Sequence, residues 1–183
     1  MAILPAIASP MHGALVPIGY ALANGSTQTF NFSSIPQGYQ DLYVVVNGRS
    51  TRAVTNEVML YGVNSDTSTI YSYTWLYGNG SSAGSSRVTA SGYFIAQDQL
   101  TGTSASSGIW GSGTMHILNY SNSSTYKTFL ARGAADANGS GETSLTVGLY
   151  RNTTAITSLQ VISYTNLVAG STIELFGVRT VNQ

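Results

Sequence analysis

Cysteine is absent from this chain of 183 residues, lysine occurs once, at Lys127, and only 8% of the side chains are charged. Without cysteine there is no disulfide, no thiolate metal site and no thiol nucleophile. The charged fraction compares with roughly a quarter in an average globular protein. Seven basic and seven acidic residues cancel to a net charge of zero, and nowhere do arginines or lysines cluster. That removes the phosphate-neutralising charge on which nucleic-acid binding and polybasic membrane contact depend. No stretch reaches the roughly 20 uninterrupted apolar residues of a membrane-crossing helix. Residues 2–23 are apolar but have no basic lead, and Pro5, Pro10, His12 and Pro17 interrupt them, so they do not read as a cleaved signal.

What is present compensates. Hydrophobic residues make up 43% of the chain, with 12 tyrosines, so the sequence is not of the disordered kind. Ser, Thr, Asn and Gly occupy positions where Lys and Glu usually stand, and solubility comes from hydroxyls and amides. The length suits one domain with a substantial core. This composition fits an exposed surface or adhesive module and fits a metabolic enzyme poorly.

Two regions are expected. Residues 1–26 form a proline-punctuated apolar arm, which cannot be a continuous helix and favours extended geometry. Ile3, Leu4, Ile7, Met11, Leu15, Val16 and Ile18 are its candidate assembly contacts. Residues 27–183 read as strand, turn, strand throughout. Phe30 and Phe32 alternate before the turn at 35–38; Leu42, Val44 and Val46 alternate with Tyr43 and Val45. Further strands are expected near 58–61, 70–77, 88–96, 110–120, 126–132, 145–151, 159–164 and 173–178, with flexible polar loops at 78–86 and 101–108. The pattern predicts an all-β protein, an antiparallel two-sheet sandwich of jelly-roll-like type with an extended N-terminal arm.

Catalytic patterns are weak. Residues 80–84 (GSSAG) fit the G-x-S-x-G nucleophile pattern, and Asp98 and His116 follow in triad order. That chemistry needs the serine on a strained turn between a strand and a helix, whereas Ser82 lies in a Ser/Gly-rich loop of a chain without helical periodicity. The seven acids show no glycosidase-like pairing. Asp41, between a turn and a strand, is read as a backbone hydrogen-bonding residue. Residues 64–68 (NSDTS) have oxygen donors for calcium but lack the acid density, so they read as a turn. His12 and His116 are too few and too far apart for zinc. No catalytic residue, metal or cofactor is therefore assigned. The aromatics flanking the soft loops, Tyr73, Trp75, Tyr77 and Trp110, are the candidate glycan or partner contacts, weighed against ordinary cross-strand packing.

Five blocks carry a resemblance: residues 30–50 (FNFSSIPQGYQDLYVVVNGRS), 61–87, 119–134 (NYSNSSTYKTFLARGA), 147–161 (VGLYRNTTAITSLQV) and 170–180 (GSTIELFGVRT). In order and spacing they resemble small bacteriophage virion structural proteins of the capsid-decoration or tail-fibre type. The resemblance spans nearly everything except the arm. It implies a non-enzymatic virion protein, assembled in the host cytoplasm and displayed on the particle surface. Its partners would be other capsid or tail subunits and copies of itself, a trimer being the form that virion symmetry axes favour. The short chain without a shaft favours a decoration or cement protein anchored by its arm over the alternative, a tail-fibre or receptor-binding module contacting host-surface glycans. Nucleic acid and membrane insertion are not among the expected partners.

Overall fold

The computed structural model describes residues 14–179, and among them there is no helix. Twelve strands follow one another: β1 Leu15–Leu22, β2 Thr29–Phe32, β3 Asp41–Gly48, β4 Asn56–Val63, β5 Tyr71–Gly78 and β6 Ala83–Ser91. The second half adds β7 Phe94–Thr101, β8 Gly111–Leu118, β9 Lys127–Ala135, β10 Glu142–Tyr150, β11 Leu159–Ile162 and β12 Thr172–Val178. Eight of them form a large sheet in the order β1-β12-β3-β8-β9-β10-β5-β6, and four form a small sheet in the order β2-β11-β4-β7. The pairings between strands are antiparallel in both. This is the expected all-β sandwich.

The period of two sets the layers. In β3, Leu42, Val44 and Val46 are buried while Tyr43 and Val45 face partly outward; β12 does the same with Ile173 and Leu175. Between the sheets, Phe94 packs with its ring centre 5.2 Å from Phe129 and 5.9 Å from Tyr73, and Tyr71 lies 5.0 Å from Tyr150. Each such fully buried large side chain contributes about 1.5–3 kcal/mol of hydrophobic stabilisation.

The small sheet covers the middle of the large one because β7 presses into a floor made low by glycine. Gly113 of β8 stands opposite Gly133 of β9. Above them Gln99 sends its amide N–H groups to the carbonyls of Thr114 (3.1 Å) and Arg132 (3.2 Å), while its oxygen accepts from the buried Tyr61 hydroxyl at 2.5 Å.

Three features depart from the sequence reading. The stretch 88–96 is not one strand. The chain leaves β6 at Ser91 and enters β7 at Phe94, changing sheets, so residues on either side of Gly92 and Tyr93 belong to different layers. Residues 83–86 of the polar loop expected at 78–86 are the start of β6, because pairing with β5 satisfies their backbone however polar the side chains are; Gly78 ends β5 and residues 79–82 turn, capped by the Asn79 side chain, which accepts from the Ser81 and Ser82 amides. The expected arm also ends early. Residues 15–22 are β1, paired with β12 across a bulge at Pro17, so the boundary at residue 26 falls inside the sandwich.

Candidate functional site on the outer face of the large sheet

The face of the large sheet turned away from the small one carries the alternate residues of each strand. At the β9–β10–β5–β6 end, Leu145 lies opposite Leu76 on one side and Arg132 on the other. Val147 lies opposite Thr74 and Leu130, and Thr74 in turn opposite Arg87. Leu76, Leu145 and Val147 are 58%, 41% and 47% exposed, so this is an aliphatic strip open to water. Two shallow hollows adjoin it. One, about 440 Å³, is lined by hydroxyls of Ser72, Thr74, Thr89 and Thr128, by Val147 and Leu149, and by Arg87 and Arg151. The other, about 420 Å³, lies between Leu76, Leu145, Thr143 and Arg132. No carboxylate lines either.

Most of the few charges elsewhere are spent on the fold. Buried Arg49 donates to the carbonyls of Ala105 (2.5 Å), Ser106 (2.7 Å) and Ile109 (2.9 Å), closing the 102–110 loop. Arg52 bridges Glu57 at 3.0 Å and lies 5.0 Å over the Tyr164 ring. Burial outweighs that arginine and the Val58 N–H, holding the Glu57 carboxyl above its ordinary pKa. Lys127 is buried with its ammonium on the carbonyls of Thr125 (2.7 Å) and Thr153 (2.9 Å), and desolvation lowers its pKa. Asp98 is buried beside Glu142 and Ser144, and burial pushes it up to about 6. Among the described residues Arg52 pairs with Glu57 and His116 hydrogen-bonds Asp41, and Arg87, Arg132 and Arg151 have no acidic partner. Arg151 donates to the carbonyls of Thr89 and Thr69, both at 2.8 Å, and pins β6 to the turn before β5.

The residues singled out in the sequence are scattered by the fold. Tyr73, Trp75 and Tyr77 alternate with the outward Ser72, Thr74 and Leu76 and so turn to the other face. Tyr73 is buried against Phe94, the Trp75 ring lies tilted with its centre 5.8 Å from that of Tyr73, and Tyr77 covers Gly84. Trp110, just before β8, is three strand spacings away, about 14 Å, so the four do not build one aromatic platform. Ile3, Leu4, Ile7 and Met11 lie outside the described residues. Leu15, Val16 and Ile18 are in β1, with Ile18 packed against the core.

The triad-like pattern does not assemble. The Ser82 hydroxyl donates to Asn79, Asp98 is buried in β7, and His116 bonds Asp41 at 2.9 Å. Asp41 does take a backbone N–H, that of Asn119 at 2.7 Å, but across to the end of β8 rather than locally. Residues 64–68 form a turn. Asn64 accepts from Thr157 and Ser158, and Asp66 accepts from Ser68 and from the Tyr150 hydroxyl, bonds that hold the Asp66 carboxyl below its usual range. No group of three metal-capable side chains occurs among the described residues.

The arginines of the outer face escaped the sequence reading because Arg87, Arg132 and Arg151 are far apart in the chain. The available signal was alternation: Arg132 follows Leu130 with one residue between, which puts it on the outward side of β9.

Comparison with known proteins adds little. No family model and no curated protein matches the chain. Among solved structures, the marine PL-14 alginate lyase from Aplysia kurodai is similar over 80% of this chain and 72% of its own, with 11% identity and a TM-score of 0.32. A functionally unknown protein from Saccharomyces cerevisiae is similar over 77% of this chain and 72% of its own, with 7% identity and a TM-score of 0.22. At these scores neither carries an argument about fold or activity.

Proposed function

We propose that this protein is a non-enzymatic structural protein of a bacteriophage particle, a capsid decoration or cement protein attached through its N-terminal end. The particle assignment rests on the five sequence blocks. The observation that carries the attachment is the edge strand β1. It brings the N-terminal segment into the sheet and leaves Tyr20 and Leu22 59% and 58% exposed opposite Glu174 and Thr172, with half-buried Phe176 paired to Pro17 farther along the same edge. Pro17 and its bulge interrupt this edge, so indiscriminate strand addition is discouraged while side-chain docking remains open. The non-enzymatic reading is supported by the employment of Asp41, Glu57, Asp66 and Lys127 in structural bonds.

In purified particles the protein would be present in high copy number on the head, and a Tyr20→Asp, Leu22→Asp variant would fold but fail to join it. Low copy number at the tail, with loss of host adsorption when the gene is removed, would favour the receptor-binding alternative. Undiminished incorporation of the double variant would overturn the attachment through β1.

A further inference from the structure

Three of the seven basic residues, Arg87, Arg132 and Arg151, meet one end of one sheet face, in a protein whose net charge is zero. Between them lie hydroxyls, aliphatic side chains and the half-buried Tyr77, and no carboxylate. We propose that this face binds an acidic polysaccharide strand, one anionic sugar residue held between Arg87 and Arg151 and another by Arg132. The inference does not depend on where the protein is displayed. It concerns the end of the sheet opposite β1, seven strand spacings or about 33 Å away.

The chemistry of the lining selects the ligand. A guanidinium has five N–H donors in a planar fork suited to a carboxylate or sulfate. Arg87 makes no hydrogen bond or ion pair among the described residues, and Arg151 gives one N–H from each terminal nitrogen to a carbonyl, leaving the remainder available. The hydroxyls of Ser72, Thr74, Thr89 and Thr128 both donate and accept, matching sugar hydroxyls that do the same. Val147 and Leu149 offer an aliphatic floor to the C–H face of a ring. The hollows are shallow and lie side by side, Leu145 and Val147 of β10 reaching one each. Arg87 and Arg132 stand on strands three spacings apart, about 14 Å, which suits successive residues of a chain rather than one small anion. Nucleic acid fits less well. Its charge recurs every ~1.7 Å along the duplex axis, and the aromatic residues at the hollows, Tyr73 and Tyr77, are buried and half-buried.

The test measures binding of fluorescent hexagalacturonate and of a sulfated hexasaccharide to the full chain, with fully methyl-esterified hexagalacturonate as the neutral control. At least one acidic probe is expected to bind about 10-fold more tightly than the neutral ester, and to weaken comparably in 0.5 M salt; which one binds identifies the anionic group. Arg87→Gln and Arg132→Gln, chosen because neither side chain holds the fold together, are each expected to weaken binding about 5-fold with an unchanged melting temperature. Equal binding of acidic and neutral probes would overturn the proposal. So would wild-type affinity in the Arg87→Gln, Arg132→Gln double variant, or tighter binding of hexaglutamate or a 20-nucleotide oligothymidylate than of either saccharide.

Discussion

Gly133 of β9 lies directly under the Gln97 and Asp98 carbonyls of β7: a β-carbon on Gly133 would overlap the Gln97 oxygen and stand 2.7 Å from the Asp98 carbonyl carbon. The obstruction is backbone, which cannot rotate away as a side chain end can. The contact joins the two sheets at the middle of the sandwich, where Gln99 also reaches across to β8 and β9.

Gly133→Ala should therefore push β7 off the large sheet. The expected cost is about 2 kcal/mol, in the range of overpacked cores, seen as a melting temperature lower by roughly 4–8 °C. Gly38, with no atom near its β-carbon position, is the control and should change little as Ala. Equal melting temperatures would show that β7 does not rest on this floor.

Asp98 makes stability depend on pH in a stated direction. Its folded pKa of about 6 lies above the ordinary 3.8, because burial and the nearby Glu142 disfavour its charge. The folded state thus holds the proton more tightly than the unfolded one. The contribution is fully present below about pH 4 and is lost as pH rises through 6, up to about 3 kcal/mol. Asp98→Asn removes the charge and suits the left-handed backbone at this position, φ 53°. Thermal melts should show the variant gaining on wild type between pH 4 and pH 7. A difference that stays flat with pH would mean Asp98 does not titrate there.

Glu57 offers a companion case with a partner. Arg52→Ala leaves the carboxylate, 1% exposed, with only the Val58 N–H at 2.9 Å. The variant should lose about 2 kcal/mol at pH 8 and less at pH 4.5, where the raised folded pKa lets the carboxyl be neutral. Adding Glu57→Gln should recover part of the loss in urea melts at pH 8. No recovery would place the effect of Arg52 in its stacking on Tyr164.

Truncation distinguishes the two halves of the N-terminal segment. Removing residues 2–23, most of the anchoring arm expected from the sequence at 1–26, deletes β1 and the backbone bonds that Ala23 exchanges with Gly170 and Ser171. It also exposes the flat edge of β12, an aggregation-prone template. Removing 2–13, which spares β1, is the comparison; relative to it, removing 2–23 should lower the melting temperature by about 10 °C or more, with large aggregates appearing on size exclusion. Equal stability of the two truncations would show that β1 is a passenger on the sheet.

Much of the fold was legible because it is written in local periodicity. Leu42, Val44 and Val46 declare a strand with one buried face, and zero cysteines with zero net charge exclude whole classes of chemistry without any coordinates. What tertiary structure decided concerns surfaces that no local pattern encodes. Residues 83–86 of the Ser/Gly-rich stretch became β6 because β5 offered an unpaired ladder, and hydrogen bonding between backbones is indifferent to polar side chains. Tyr73 and Trp75 turned inward because alternation had to serve Leu76 and Thr74 on the other face. Arg87, Arg132 and Arg151, up to 64 residues apart in number, were brought to one end of one face only by the order in which eight strands pair. Alternation along a strand records inside and outside; which strands stand side by side is settled by the packing of the whole sandwich.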